Sequence, residues 1–177
     1  MQSALDTKSR RAPSEASLSA TSERGRGLWN SIYSPFDEKL LDKLARGHPD
    51  LPVVILNYHY GPLLADPSLA GGEQQGGTAS LGRFLTSIVG VACLRAQTGT
   101  GPQVMSHIYG LRQAFDDSSW KDDKGLCDEP GESLDEKKKV VQWLASDEGG
   151  EWILVNIDAL VEALGGSNFA PIKASKL

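Results

Sequence analysis

Residues 81–115 read LGRFLTSIVGVACLRAQTGTGPQVMSHIYGLRQAF. Two helical periodicities meet here across a short break. The first predicts a long helix from about residue 79 to 97, capped by Thr78 or Ser80. Its apolar positions Leu81, Phe84, Leu85, Ile88, Val89, Val91, Ala92 and Leu94 wrap most of the circumference, the pattern of an element buried all round. Thr98-Gly99-Thr100-Gly101 interrupts it, and Pro102 sits where a new helix tolerates proline. The second helix carries Val104, Met105, Ile108, Leu111 and Phe115 at helical spacing. The stretch is therefore expected to form an antiparallel helical hairpin with a four-residue turn, its first helix the most buried element of the fold.

Working outward, helical patterns dominate. Leu28, Trp29, Ile32 and Tyr33 predict a short amphipathic helix starting near Arg26. Ser34-Pro35, followed by Asp37 and Glu38, predicts the capped start of a helix through Leu40, Leu41 and Leu44 to Gly47. Leu51 to Leu64 is read as a further helix kinked at Gly61-Pro62. Residues 66–78, with four Gly, two Gln and one Pro, form a loop by composition. Residues 116–139 hold nine acids and five lysines and are expected to be a mobile surface insertion; the order of carboxylates does not match an EF-hand ladder. A short helix through Val140, Val141, Trp143 and Leu144 follows, then a last helix from Asp147 or Glu148 to Leu164, stopped by Gly165-Gly166. No strand alternation and no repeat appears. The fold class is all-α, six to seven helices around the central hairpin: an arm at 1–25, one domain over 26–169 and a tail at 170–177.

Chemistry concentrates on the hairpin. Between Gln74 and Phe115 there is no Asp or Glu, yet Arg83, Arg95, Arg112 and His107 lie there. In an acidic protein (formal charge -5) such a segment has two readings: guanidinium groups aimed at a carboxylate or phosphate ligand, or arginines paired with acids of the tail or of a neighbouring subunit. Cys93 and Gln97, four residues apart, share one helix face. With Gln103 and His107 they are placed to meet at the open end of a closed hairpin. A neutral imidazole there can transfer a proton, and a thiol beside it can be activated as a nucleophile. Plain packing for Cys93 and a structural hydrogen bond for His107 are the alternatives. His48 and His59 make no metal triad with His107 by spacing, so neither metal nor cofactor is expected. Phosphate-loop and nucleophile-elbow motifs are lacking.

The acidic balance argues against generic nucleic-acid binding, and no apolar run approaches the ~18–20 residues of a membrane span. Two cysteines, Cys93 and Cys127, build neither a disulfide framework nor a four-thiolate zinc site. The N-terminal segment is polar, basic and Ser-rich, but Asp6, Glu15 and Glu23 count against a mitochondrial presequence. Ser175-Lys176-Leu177 spells the tripeptide that the peroxisomal import receptor reads at a free C-terminus. The expected location is the peroxisomal matrix, with mitochondrion or cytoplasm as the alternative.

The hairpin resembles the core of the carboxymuconolactone decarboxylase / alkylhydroperoxidase-D-like superfamily: a long apolar helix, a glycine turn, and a second helix with Ser106-His107, Gly110-Leu111 and Ala114 in the pattern S-H-x-x-G-L-x-x-A. LWNSIY, PFDEKLLDKLARGHPDL and YGPLL upstream are similar to the leading helices of fungal members. The likeness covers roughly residues 26–115 and, more loosely, 140–169. It implies an all-helical protein that assembles as a trimer or hexamer, with His107 as the proton-transferring residue. The superfamily's peroxidases carry Cys-x-x-Cys where this chain has Thr100 and Gln103, and a glutamate on the first hairpin helix that has no counterpart here. A two-thiol redox cycle is therefore not implied.

Three functions follow as expectations. The first is a decarboxylase-like enzyme acting on a small carboxylated or lactone-like metabolite, with His107 moving the proton, Arg83 or Arg95 holding the anion, and Cys93, Gln97 and Gln103 lining the cavity. The second is a non-catalytic module that binds a metabolite or a protein. The third is a thiol peroxidase using Cys93 alone.

Overall fold

Ser14 starts the first helix by a reciprocal capping box: its Oγ accepts from Ser17 N at 3.2 Å while Ser17 Oγ accepts from Ser14 N at 2.8 Å. The computed structural model describes residues 14–65, 81–97, 99–127 and 131–166. Helix α1 spans Glu15–Tyr33. Residues 15–25, expected to belong to a disordered arm, are thus helical. The reason lies in packing: Gly25 lets α1 approach the backbone of Leu56 and Gly61, and Ser22 Oγ lies 2.8 Å from Asn57 Oδ1. Residues 1–13 and the Ser175-Lys176-Leu177 tripeptide lie outside the described residues.

Helix α2 (Asp37–Gly47) starts two residues later than Ser34-Pro35 suggested, because the Ser34 N–H closes α1 on Asn30 O and Ser34 caps nothing. Helix α3 (Leu51–Val54) runs directly into a π-helical segment, Ile55–Leu64. The expected kink at Gly61-Pro62 is replaced by this wider winding, which holds Pro62 inside the helix. Such segments recur at functional sites.

The central hairpin is present as expected: α4 (Arg83–Ala96) and α5 (Gly101–Asp116). Thr100 Oγ1 donates to Leu94 O at 2.6 Å, a second bond to the carbonyl on which the Gln97 N–H already closes α4. Helix α4 starts at Arg83 with Gly82 at its cap position; Thr78 and Ser80, the expected caps, lie outside the described residues. Nor is α4 buried all round. It buries Phe84, Thr86, Ser87 and Val91 and leaves Val89 and Cys93 exposed, since α1, α5 and α8 cover only part of its surface.

The acidic segment is not simply a surface insertion. A 3-10 turn (Ser119–Asp122) and a one-turn helix α6 (Lys124–Cys127) pack Trp120 and Asp123 into the interior, 1% and 0% exposed. The indole's apolar area drives the first. Asp123 is drawn in as a long-range cap: its carboxylate accepts from Leu85 N at 2.9 Å, in the first turn of α4. Helices α7 (Leu134–Leu144) and α8 (Asp147–Ala163) complete the chain, α7 with a capping box between Ser133 and Glu136.

The protein is all-α; among the described residues there is no strand, and no helix is long and apolar enough to cross a membrane. Its core has two parts. One, with Phe84, Val91, Ile108, Leu111, Trp120 and Val141, joins α4 and α5 to α7 and α8. The other, with Trp29, Ile32, Tyr33, Leu41, Leu56 and Tyr60, joins α1, α2 and the π-helical segment. His107 reaches from α5 to the second part, where it meets Tyr33.

Candidate functional site

His107 lies on the buried face of α5, one turn before Gly110, and is 3% exposed. Its Nε2 is 3.3 Å from the Tyr33 hydroxyl, which is 2.9 Å from the Tyr60 hydroxyl. Three elements supply the three groups: α1 brings Tyr33, the π-helical segment Tyr60, and α5 His107. Trp29 fixes the tyrosines, its ring centroid 4.2 Å from that of Tyr33 and 5.1 Å from that of Tyr60. Two glycines allow the close approach of α4 and α5. An added Cβ at Gly90 would lie 2.6 Å from His107 Nδ1, and one at Gly110 would lie 2.9 Å from Ser87 Oγ.

Burial sets the electrostatics. Desolvation disfavours a charged imidazole and pushes the His107 pKa down to about 4, so the ring is neutral at pH 7. Desolvation also raises both tyrosines, whose phenols stay protonated. The site is thus a chain of neutral hydrogen-bonding groups in an apolar wall, able to pass or hold a proton without a fixed charge.

The other expected site residues do not converge on His107. Arg83, 13% exposed at its side chain, is a tie between elements: it donates to Asp117, to Ser31 O, to Ser119 Oγ at 3.1 Å and to Gln113 Oε1 at 3.3 Å. Arg95 bonds Asp158 of α8 through Nε at 2.7 Å and Nη2 at 2.6 Å, and Arg112 pairs with Asp147. All three hairpin arginines therefore meet carboxylates of this same chain rather than a common cavity; they pair with acids, as the second reading has it, but with Asp117, Asp158 and Asp147 and not with acids of the tail. Asp117 is held below the usual carboxylate range even against partial burial, by Ser119 and Arg83. Cys93, Gln97 and Gln103 are exposed whereas His107 is buried, so no closed cavity gathers the four residues. His48 Nδ1 accepts from Asp50 N, and His59 Nδ1 contacts Val54 O, both local. Among the described residues no cluster of three or more His, Cys, Asp or Glu is placed to hold a metal ion.

Sequence reasoning missed Tyr33 and Tyr60 as partners of His107, reading both as apolar pattern. The available signal was chemical: a buried tyrosine needs a hydrogen-bond partner, and Tyr60 stands beside the flagged Gly61-Pro62. A groove of about 360 Å³ runs along the outer side of Tyr33. Its walls include Ile32, Pro35, Phe36, Leu40 and Tyr109, with Ser106 and Gln113 as polar points. Comparison with known protein families, curated proteins and solved structures finds no match for this chain.

Proposed function

We propose that the protein is a decarboxylase-like enzyme of the peroxisomal matrix in which His107 moves a proton on a small metabolite. The observation that carries this reading is the neutral His107 imidazole bonded through Nε2 to Tyr33, and through it to Tyr60. Structural histidines are commonly satisfied by one backbone carbonyl. Here the ring is held by one hydroxyl group, that of Tyr33, which is bonded in turn to the Tyr60 hydroxyl, and both can themselves carry a proton.

The substrate reaches the relay over the groove that shares Tyr33 with it. The apolar walls suit the body of a small carboxylated, lactone-like metabolite and leave its carboxylate, the group lost as carbon dioxide, without an ion pair, since Arg83 and Arg95 are already neutralised by Asp117 and Asp158. Loss of carbon dioxide leaves an enolate-type intermediate, and the proton it takes up comes from the Tyr33 hydroxyl at the groove and is replaced through the hydrogen-bonded His107. The resemblance to the carboxymuconolactone decarboxylase superfamily adds assembly as a trimer or hexamer, and Ser175-Lys176-Leu177 adds delivery by the peroxisomal import receptor.

A second reading is a non-catalytic metabolite-binding or protein-interaction module. It is favoured by the exposure of Cys93, Gln97 and Gln103 and by the paired state of the arginines, which leave His107 without the cavity expected around it. The test compares wild type with His107→Gln and Tyr33→Phe on a peroxisomal metabolite extract, followed by mass spectrometry. A compound consumed by wild type alone, with a product lighter by carbon dioxide, supports the enzyme. Equal metabolite profiles for folded wild type and variants, in an extract where other enzymes remain active, establish the binding reading instead. A fluorescent fusion ending in Ser175-Lys176-Leu177 that stays cytosolic removes the peroxisomal part.

A further inference from the structure

The hydroxyl of Ser87 is fully buried and has no hydrogen-bond partner, and the same is true of His107 Nδ1. Their placement links them. Helices α4 and α5 run antiparallel, with Gly90 opposite His107 and Ser87 opposite Gly110. Ser87 and Gly90 are one turn apart on α4, and His107 and Gly110 one turn apart on α5. Ser87 Oγ therefore faces the same strip of α5 as the imidazole, displaced by about one helical turn, ~5 Å.

A count of protons makes the connection specific. Tyr60, Tyr33 and neutral His107 carry three acidic protons between them: two hydroxyl protons and one N–H. Two contacts join the three groups. One proton is therefore left over, on Tyr60 Oη, on His107 Nδ1 or, where Tyr33 accepts from both neighbours, on Tyr33 Oη, and neither tyrosine hydroxyl has a further partner among the described residues. At the Tyr60 end no further acceptor is bonded to the hydroxyl among the described residues. At the His107 end stands Ser87 Oγ, a buried acceptor with nothing to accept. A buried N–H without a partner carries the full cost of its lost hydration, and a buried hydroxyl is penalised likewise.

We propose that Ser87 is a positioning residue for this site: its Oγ accepts the His107 Nδ1–H through one bridging water and fixes the ring as the Nδ1–H tautomer with Nε2 turned as acceptor to Tyr33. The relay then runs Tyr60 to Tyr33 to His107 to Ser87. The hydrogen bond on one imidazole nitrogen determines which proton state the other presents. The inference deepens the proposed proton-transfer site but concerns the resting protein, so its test needs no substrate.

The experiment is the ring-nitrogen spectrum of full-length protein labelled with ¹⁵N at histidine, at pH 7, where His107 is neutral. The expected result is a proton on Nδ1 in wild type, retained in Tyr33→Phe and shifted mainly to Nε2 in Ser87→Ala. Loss of a merely structural serine leaves the tautomer unchanged. A wild-type ring protonated on Nε2 overturns the proposal, as does a folded Ser87→Ala protein with wild-type nitrogen signals. Should Ser87→Ala not fold, the wild-type tautomer alone decides. An inactive protein with the Nδ1–H ring overturns the enzyme reading and leaves Ser87 in place; turnover with the Nε2–H ring does the reverse.

Discussion

Gly90 and His107 are in contact so close that no side chain fits between them: a Cβ on Gly90 would stand 2.6 Å from both Nδ1 and Cε1 of the imidazole. The histidine is held by the absence of an atom on α4 as much as by Tyr33 on α1. Gly90→Ala is therefore expected to force the ring off Tyr33 or α4 off α5. Overpacking of this kind costs about 1–3 kcal/mol. Urea denaturation should show that loss, and the His107 ring signals should move; an unchanged midpoint would mean that the helices part freely at this crossing.

His107 also makes stability depend on pH. Its folded pKa, about 4, lies below the ordinary 6.5 because burial disfavours the charged ring. Between these values the unfolded chain binds a proton that the folded chain does not. Stability is full above pH 6.5 and falls as the pH drops toward 4. Lowering the pH from 7 to 5 should remove about 2 kcal/mol through this group. His107→Gln should lose that much less over the same interval in urea titrations, and parallel losses in both proteins would refute the assignment.

The arginines of the hairpin should separate by burial. Arg83→Ala strands Gln113, Ser31 O and Asp117 beneath a half-closed surface and is expected to cost about 2 kcal/mol. Arg95→Ala breaks an exposed pair with Asp158 and should cost less than about 1 kcal/mol, with the difference from wild type fading in high salt. Thermal unfolding in low and high salt measures both. Equal effects would contradict the clasp role of Arg83.

Asp123 caps α4 from a distant turn, and burial raises its carboxyl above the usual range. Asp123→Ala removes the acceptor of Leu85 N–H and should lower stability by about 1–2 kcal/mol. Asp123→Asn keeps an oxygen at that position without burying a charge and is expected to cost less. Hydrogen exchange at Leu85 reports the cap directly: protection that survives Asp123→Ala would show another acceptor.

Much of the fold was legible in local pattern. The hairpin, its break between Ala96 and Gly101, α2 ending at Gly47 and α8 ending before Gly165-Gly166 all follow from periodicity and breaker residues, which act over a few positions. Misreadings arose where packing supplied what composition lacked. Residues 15–25 look like a polar arm until the π-helical segment lies against Gly25, and residues 116–127 look like an acidic loop until Trp120 and Asp123 find the underside of α4.

The sequence by itself determined that the protein is helical, where its hairpin turns, and that His107 stands on that hairpin in a segment free of acids. Only the tertiary structure decided what His107 does with its neighbours. Tyr33 lies 74 residues away and Tyr60 27 beyond Tyr33, and the arginines find their carboxylates across 34 to 63 residues. Helical periodicity carries information over three or four positions. Hydrogen bonds and ion pairs at such separations exist only once the burial of apolar faces has brought the helices together.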